Sequence, residues 1–463
     1  MKIASSPRFL TRELLFLSFP IMISNLLQVL YNTVDAFYLG KIGKEAISAP
    51  SITMNISNFI IIFGAAFSVS GTTMISQAFG NDSHNRKRLD LLASQVLLVN
   101  ICLSILITLI GYFSSETLMQ LMKVPEGLTY TYTRSYMQIT FLTMPFFFLD
   151  LSLRSIYQGI GDSVTPLYVQ CVAVIINVIL DPILIFGFHG IPRLEVFGAA
   201  MATFIARTIS GSISLILLLK MNKGIKISLR LMKPHGRTLS LMTKIGLPAA
   251  IGQSISALGF AVIQGAVNTF GPVVIASMGV GNRIQSLFHM PTQGISQGVS
   301  ILAGKKLGND EPREAQKVVN TGLLLIGSTI SIGMSLVMIF GKWVIIFFVN
   351  DPHVIAEGTK MFYFTAPSVI VFSLFTVIMG AFQSGGKTRS MMIMNIIRLW
   401  GLRVPMVYLL PALFSLGSSG IYIAMLTSNF VVTICALILF SKGTWKVNLI
   451  KEKPLSVSSV HKS

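Results

Sequence analysis

The sequence predicts an all-α membrane protein in which twelve transmembrane helices form two pseudo-symmetric six-helix lobes. Composition is the first reason, because 52% of the 463 residues are hydrophobic and only 11% are charged, a balance that is typical of membrane proteins. The second reason is a series of apolar stretches of about 20 residues, each long enough to cross roughly 30 Å of hydrocarbon. The third reason is an internal repeat, which divides the chain into two similar halves.

The predicted spans follow one another along the chain with short polar connections. In two of the clearest stretches, residues 91–113 and 323–340, no charged side chain occurs. The limits of the twelve predicted spans are 13–38, 51–78, 91–113, 135–158, 166–188, 196–219, 242–268, 272–304, 319–340, 358–383, 388–411 and 418–441. Because the number of spans is even, both ends of the chain are expected on the same side of the membrane.

The formal net charge of +19 comes mainly from basic residues in alternate loops. These loops carry Arg86, Lys87 and Arg88, then Lys305, Lys306, Arg313 and Lys317, and then Lys387 and Arg389. Loops rich in lysine and arginine mark the cytoplasmic side of a membrane protein. We therefore expect a multi-pass protein of the cell membrane with both termini in the cytoplasm. The charge also favours anionic lipid headgroups, and it does not point to nucleic acid as a partner.

The most basic connection divides the chain into its domains. Residues 220–244 contain many lysines and arginines and no acidic residue, so we interpret them as a cytoplasmic linker. The first lobe then covers residues 1–219 and the second lobe residues 245–441. A basic cytoplasmic tail, residues 442–463, completes the chain.

The internal repeat shows itself as matching positions at a nearly constant offset in residue number. Pro20 matches Pro248, Gly43 matches Gly271, and Gly80-Asn81-Asp82 matches Gly308-Asn309-Asp310, all at the same offset. Further along, Gly198 matches Gly420 at a slightly shorter offset. Parallel repeats of six spans are a device of secondary transporters, which handle their substrate near the repeat interface. A receptor or a membrane anchor needs no such duplication.

Enzyme chemistry is not indicated by the sequence. It contains no HExxH motif, which is one way to hold a catalytic metal on a helix. The three cysteines, Cys102, Cys171 and Cys435, have no spacing that suggests a metal site or a disulfide framework. We expect neither an enzyme nor a bound cofactor or resident metal.

Acidic residues within the predicted spans occur only in the first half. Away from the ends of the spans they are Asp35, Asp150 and Asp181, with Glu195 at the edge of the sixth span. Residues 244–309 contain no acid, and neither do residues 360–441. A charge inside the membrane costs roughly 2.5–3.5 kcal/mol on insertion scales, so such residues are functional candidates.

Asp35 and Asp181 are the strongest of these candidates. Asn177 precedes Asp181 by four residues, which puts both side chains on one face of a helix. Pro182 follows directly and favours a kink there. Two carboxylates with a neutral amide can bind a proton or a small cation such as Na⁺. The alternative interpretation is structural, with each carboxylate satisfied by an interhelical hydrogen bond or a buried arginine.

Other charged residues in the spans have a different interpretation. Asp150 and Arg154 lie four residues apart, and we expect them to form a structural ion pair. The remaining intramembrane arginines are assigned no role from the sequence. They are Arg207, Arg283, Arg398 and Arg403.

Several motifs together resemble the MATE family of multidrug and toxic compound extrusion transporters. The motifs are LYNTVDAFYLGKIGKEAISA, SQAFGNDSHNRKRLD with its counterpart AGKKLGNDEPREAQKVV, QGIGDSVTP, NVILDPILIFG and GAAMAT. The resemblance covers nearly the whole chain. It implies a cation-coupled antiporter of twelve helices in two six-helix lobes. Because the second half lacks acids in its spans, the pattern is closest to the DinF-like and archaeal-type members.

The resemblance also implies roles for individual residues. Asp35 matches the family's first-helix aspartate, and Asp181 and Asn177 match the aspartate and asparagine of its fifth helix. Thr203 matches the threonine of the sixth helix. Tyr136 matches a tyrosine of the same polar network by spacing only. These five residues are the predicted site for H⁺ or Na⁺.

The expected function is therefore secondary active efflux of amphipathic and cationic xenobiotics in exchange for H⁺ or Na⁺. The partners are small-molecule drugs and membrane lipid, and a monomer is expected. The alternative within the same superfamily is a flippase for a lipid-linked saccharide, which Arg398 and Arg403 favour because they suit a pyrophosphate.

Overall fold

A computed structural model describes residues 7–80, 86–188, 190, 192–221, 225–414 and 416–452. Within these ranges the side chains of residues 55, 58, 59, 63 and 229 are also left undescribed. Asn81 and Asp82 of the repeat motif lie outside the described residues, as does the predicted tail beyond residue 452.

Twelve long helices make up almost all of the described chain. The first half contains α1 (Pro7–Gly40), α2 (Lys44–Gly80), α3 (Arg86–Leu121), α4 (Leu128–Gly159), α5 (Val164–Phe186) and α6 (Glu195–Leu219). The second half contains α7 (Gly236–Asn268), α8 (Pro272–Gly308), α9 (Pro312–Phe348), α10 (Pro352–Ser384), α11 (Thr388–Phe414) and α12 (Ser419–Ser441). A 3₁₀ turn at Leu229–Met232 lies in the linker, and a short helix α13 (Leu449–Glu452) follows α12.

Eleven of the described helices have the length and apolar composition needed to cross a membrane. The twelfth, α8, carries Asn282, Arg283, Gln285 and His289 near its middle, which lowers its mean hydropathy. Its position between α7 and α9 nevertheless agrees with the predicted span 272–304.

The chain divides into two compact units, and the boundaries between them fall inside α1 and α7. The N-terminal unit is Ile23–Leu247, and the C-terminal unit joins the start of α1, up to Met22, to Pro248–Glu452. Leu10, Leu14 and Leu17 are buried in the same apolar core as Val299. The early part of α1 therefore belongs by packing to the second half of the sequence, whereas the sequence predicts a first lobe that begins at residue 1.

Equivalent hydrogen bonds in the two units follow the offsets of the repeat. In the N-terminal unit the Ser68 hydroxyl donates to the Leu151 carbonyl at 3.2 Å. In the C-terminal unit the Ser296 hydroxyl donates to the Thr376 carbonyl at 2.7 Å. The two serines are related by the same offset as the prolines of the repeat, and the two acceptors by nearly the same one. The α2–α4 and α8–α10 crossings are thus versions of one packing arrangement.

Helix α11 departs from regular geometry at Ile397–Arg403, which forms π-helical turns. π-Helical segments inside α-helices are rare, and those that occur are often found at functional sites. Arg398 and Arg403, near the two ends of this segment, are both buried.

Candidate functional site

A cavity of about 420 Å³ lies within the N-terminal unit, among α1, α2, α4 and α6. This volume is in the range of small-molecule sites, roughly 300–1,000 Å³. Asp35 forms part of its wall together with Tyr31, Tyr136, Thr203 and Arg154. The cavity is therefore large enough for a small organic molecule and has a carboxylate facing it.

Asp35 lies between this cavity and a second carboxylate. Its side chain is only 7% exposed, and the Thr203 hydroxyl donates to its Oδ2 at 3.5 Å. The carboxyl group of Asp181 and the amide of Asn177 lie close enough to the Asp35 carboxyl group to interact with it electrostatically. The structure thus brings α1, α5 and α6 together at one carboxylate.

Asp181 is completely buried behind Asp35. The Asn177 amide donates to Asp181 Oδ1 at 3.1 Å, as the four-residue spacing on α5 predicts. Oδ1 of Asp35 and Oδ2 of Asp181 find no hydrogen-bond donor among the residues that the structure describes. Two adjacent carboxylates cannot both be charged at low cost in a dry interior. A shared proton or a small cation is the kind of partner that such oxygens lack.

Close packing of α6 on α5 fixes the two helices that carry this site. A Cβ at Gly198 would lie 2.3 Å from the Leu184 carbonyl oxygen, so only glycine allows this approach. The Leu194 amide also donates to that carbonyl at 3.1 Å. Pro182, directly after Asp181, lies inside α5 and removes one backbone donor from the helix. The close approach at Gly198 and the hydrogen bond to the Leu184 carbonyl hold α6, which carries Thr203, against α5.

Tyr136 on α4 is buried in the cavity wall. It packs in one apolar cluster with Leu39 of α1 and Ala199 and Ala200 of α6. The structure therefore gathers all five predicted site residues in one region of the N-terminal unit. Their role in ion coupling stays a prediction.

Asp150 has a different partner from the one predicted. Its Oδ2 lies 3.6 Å from Nη1 of Arg207 on α6, and both side chains are at most 10% exposed. The hydroxyls of Ser210 and Ser214 donate to the same carboxylate at 2.8 and 2.7 Å. The close ion pair of Asp150 is thus with Arg207 on α6, whereas the predicted partner, Arg154, lines the cavity and interacts with Asp150 only at longer range.

Arg207 joins the Asp150 cluster to the cavity, and the sequence assigned it no role. Its Nη2 donates to Gln28 Oε1 at 3.2 Å, and its guanidinium lies 5.0 Å from the centre of the Tyr31 ring. Gln170 of α5 donates to the same Gln28 oxygen at 3.2 Å. Part of this network is predictable from the sequence, because the spacing of Gln28, Tyr31 and Asp35 places them on one face of α1.

The chemistry of these donors suits a proton or a hard cation. Asp35, Asp181, Asn177 and Thr203 offer oxygen ligands only, which hard cations prefer. In the described part of the chain no group of three or more histidine, cysteine or acidic side chains is placed to hold a metal ion. The donor set therefore does not resemble that of a transition-metal site.

Two similar six-helix halves are the arrangement of a membrane transporter. Comparison with known proteins gives the family: the MatE family model matches residues 20–183 and again residues 248–409. The chain therefore belongs to the MATE family, whose members are transporters and not enzymes. The double match also shows that each half repeats the family's basic unit.

The similar curated proteins cover nearly the whole chain. A probable multidrug resistance protein of Bacillus subtilis, YoeA, is 26% identical over 92% of this chain and 92% of its own length. The multidrug export protein MepA of Staphylococcus haemolyticus is 27% identical, with the same two coverages. MepA of Staphylococcus aureus is 26% identical over 94% of each chain.

Solved structures of similar fold confirm the predicted fold class. An outward-facing multidrug resistance MATE family transporter of the MOP superfamily superimposes with a TM-score of 0.84 at 20% identity, over 94% of this chain and 97% of that chain. A MATE structure in a bent conformation gives a TM-score of 0.86 at 20% identity, over 96% of each chain. Neither the family match nor these relatives support the lipid flippase, and the DinF-like branch stays a prediction.

Proposed function

We propose that this protein exports amphipathic compounds, organic cations among them, in exchange for H⁺ or Na⁺. The single observation that carries the proposal is the position of Asp35, with one side toward a cavity of about 420 Å³ and the other toward Asp181. The names of the similar bacterial proteins, multidrug resistance and export proteins, support the substrate class.

Competition for Asp35 provides a mechanism of exchange. An organic cation in the cavity is attracted to the ionised Asp35, and the walls at Tyr31, Phe147 and Met54 supply aromatic and flexible apolar contacts. A coupling ion that binds between Asp35 and Asp181 neutralises the carboxylate and removes this attraction. Substrate then leaves as the ion arrives, while the protein alternates between inward-open and outward-open states.

The driving force is large enough for export. An elementary charge that moves inward gains about 2.3 kcal/mol per 100 mV of membrane potential. Each pH unit of gradient adds about 1.4 kcal/mol per proton. Together they support roughly two decades of accumulation or more for a neutral substrate. A monovalent cation exchanged for one proton cancels the electrical part, so its export depends on the pH gradient.

The neutral partners at the site differ in what they can offer. Asn177 donates to Asp181 through its amide nitrogen, and its Oδ1 has no donor among the described residues. Thr203 donates to Asp35. A sodium ion would take Asn177 Oδ1 and the carboxylate oxygens as ligands, whereas a proton needs only the two carboxylates. Transport under separate gradients distinguishes these two ions.

Membrane placement completes the proposal. The basic loops at Arg86, Lys305 and Lys387 favour a cell-membrane protein with cytoplasmic termini. We propose a monomer, because the candidate site is built entirely within one unit of one chain. A green fluorescent protein fused after Ser463 is expected to fluoresce in bacterial cells, and a dark, full-length fusion would contradict the orientation.

Transport by purified protein in liposomes tests the function. A fluorescent organic cation is followed while a pH gradient and a sodium gradient are imposed separately. We expect one gradient to drive transport and Asp35→Asn to abolish it, because the neutral amide of asparagine cannot bind the coupling ion as a carboxylate does. Asp181→Asn is expected to reduce it strongly as well.

The matched control is Asp351→Asn. Asp351 caps α10 by accepting from the amides of His353 and Val354, and asparagine caps a helix about as well. This variant is expected to transport like the wild type. If neither gradient drives transport by monodisperse wild type, or if Asp35→Asn transports like the wild type, the proposed coupling role of Asp35 is wrong.

A further inference from the structure

A second cavity lies entirely within the C-terminal unit and, unlike the first, has arginines but no carboxylate among its described lining residues. Its volume is about 380 Å³, and residues of α7, α8, α10, α11 and α12 line it. Two arginines of the π-helical segment, Arg398 and Arg403, form part of the wall. None of the described residues that line this cavity is acidic.

Every described hydrogen bond of these two guanidinium groups is to a neutral acceptor. Arg403 donates from Nε to the Ser428 hydroxyl at 2.9 Å and from Nη2 to Asn429 Oδ1 at 2.6 Å. Arg398 donates to the same Asn429 oxygen at 3.5 Å and to Asn395 Oδ1 at 3.4 Å. Two positive charges thus share one amide oxygen, although each side chain is less than 5% exposed.

No carboxylate among the described residues forms an ion pair with Arg398 or Arg403. The sequence explains this, because residues 360–441 and 244–309 contain no aspartate or glutamate. Arginine stays protonated in proteins. Buried charges are expensive unless they are paired, so this cavity holds two positive charges that an anion would stabilise.

Unused hydrogen-bond donors are present at the same cavity. Nε of Arg398 and Nε2 of Gln285 are both buried and have no acceptor among the described residues. Both side chains line the cavity. Buried donors normally have an acceptor, and an unsatisfied one destabilises the fold. A ligand with acceptor oxygens would satisfy them.

The rest of the wall is largely apolar and partly aromatic. Phe260, Phe372, Met278 and Met425 line it. The Arg398 guanidinium lies 4.6 Å from the centre of the Phe372 ring, a distance typical of cation–π contacts. This contact keeps the guanidinium group beside the aromatic part of the cavity wall.

We propose that this cavity binds the carboxylate of an aromatic organic anion or zwitterion. Guanidinium matches a carboxylate through two parallel hydrogen bonds, and the aromatic and methionine side chains would cover the ring of the ligand. The inference goes beyond the proposed cation exchange and does not depend on it, because it concerns binding in the other unit.

Calorimetric titration of the full-length protein in nanodiscs of zwitterionic lipid tests the inference. The probes are naphthalene-2-carboxylate and its neutral isostere naphthalene-2-carboxamide. We expect the carboxylate to bind at least tenfold more tightly than the amide. Arg398→Gln is expected to weaken carboxylate binding at least tenfold and amide binding by less than threefold.

The matched control is Arg389→Gln, which removes an exposed charge from the same helix outside the cavity. It is expected to bind both probes like the wild type. Gln285→Met keeps the side chain neutral and similar in size but removes its hydrogen-bond donor, and it is expected to weaken carboxylate binding threefold to tenfold. This variant serves as the test if Arg398→Gln does not fold.

Two results would overturn the inference. Equal affinity for the carboxylate and the amide would show that the cavity does not recognise charge. Unchanged carboxylate affinity in a monodisperse Arg398→Gln variant would show that the arginines only stabilise the fold. Asp35→Asn is expected to bind the carboxylate normally, so failure here would leave the proposed cation efflux intact, and failure of efflux would leave this inference intact.

Discussion

Removal of the Asp150 carboxylate is predicted to destabilise the N-terminal unit strongly, because it leaves Arg207 as an unpaired buried charge. The two charged groups are 3.6 Å apart and at most 10% exposed. At an effective dielectric constant of 20, their attraction is about 5 kcal/mol. Breaking such a buried pair by deleting one partner typically costs about 3–5 kcal/mol. We expect a loss in this range for Asp150→Ala.

The other contacts of Asp150 allow the charge to be separated from its hydrogen bonds. Ser210 and Ser214 donate to the two carboxylate oxygens. Asp150→Asn keeps an acceptor oxygen but not the charge, so it is expected to lose less stability than Asp150→Ala. Arg207→Met removes the charge that Asp150 balances. In the double variant Asp150→Ala/Arg207→Met the loss is expected to be smaller than the sum of the single losses by about 2 kcal/mol, because groups in one ion pair are energetically coupled.

Reversible unfolding in mixed micelles titrated with sodium dodecyl sulfate, followed by circular dichroism, measures these free energies. Circular dichroism is preferred because all three tryptophans, Trp343, Trp400 and Trp445, belong to the C-terminal unit and do not report on this site. If the single and double losses add within about 0.5 kcal/mol, the two groups are not energetically coupled. The structural ion pair would then be refuted.

Two further predictions concern the helix contact at the site and the end of the described chain. Gly198→Val is expected to lower the melting temperature and abolish efflux, because the valine side chain would collide with the Leu184 carbonyl. The control is Gly265→Ala, because a Cβ at Gly265 would have no neighbour within 4 Å. A wild-type melting temperature for Gly198→Val would contradict the close approach of the two helices. A hydrogen bond from Lys451 lowers the pKa of Asp310, so its stabilisation is present above pH ~4 and is lost as the pH falls through that lowered pKa. Asp310→Asn is expected to speed hydrogen exchange in α13 at pH 7 at a stability cost of at most about 1 kcal/mol, and unchanged exchange would show that the contact does not hold α13.

The spans and the repeat are predictable from the sequence because both depend on local composition. Each predicted span lies within a helix or nearly so, although most of the helices are longer, as where the span 51–78 becomes Lys44–Gly80. The hydrocarbon thickness limits an apolar stretch, but a helix can continue into the polar interface with residues such as Lys44. Helix ends are therefore less predictable than the existence of the helices.

A contact in the candidate site is predictable from the sequence only where both of its residues lie on the same helix. Asn177 and Asp181 are four residues apart on α5, and their hydrogen bond follows from helical geometry. The same rule fails for Asp150 and Arg154, because α6 offers Asp150 two serines and Arg207. Helical spacing brings two residues to one face, but the neighbouring helix decides which partner each one takes.

Contacts between helices that are distant in sequence can be assigned only from the family resemblance or from the structure. Thr203 was assigned by its match to the sixth-helix threonine, and the structure places its hydroxyl on Asp35. The π-helical turns at Ile397–Arg403 have no comparable signal. No spacing rule predicts them, and without them the positions of Arg398 and Arg403 in the wall of one cavity were not foreseeable.

The repeat also shows how two halves with one packing scheme acquire different charged groups. The offset that relates Gly198 to Gly420 also relates Arg207 to Asn429. In the N-terminal unit the arginine at this position balances Asp150, whereas in the C-terminal unit the asparagine accepts from two arginines of α11. Because each cavity is built within its own unit, its charge can change without loss of the shared helix packing. Cation coupling and anion binding should therefore be separable by mutation, and a variant that loses one should keep the other.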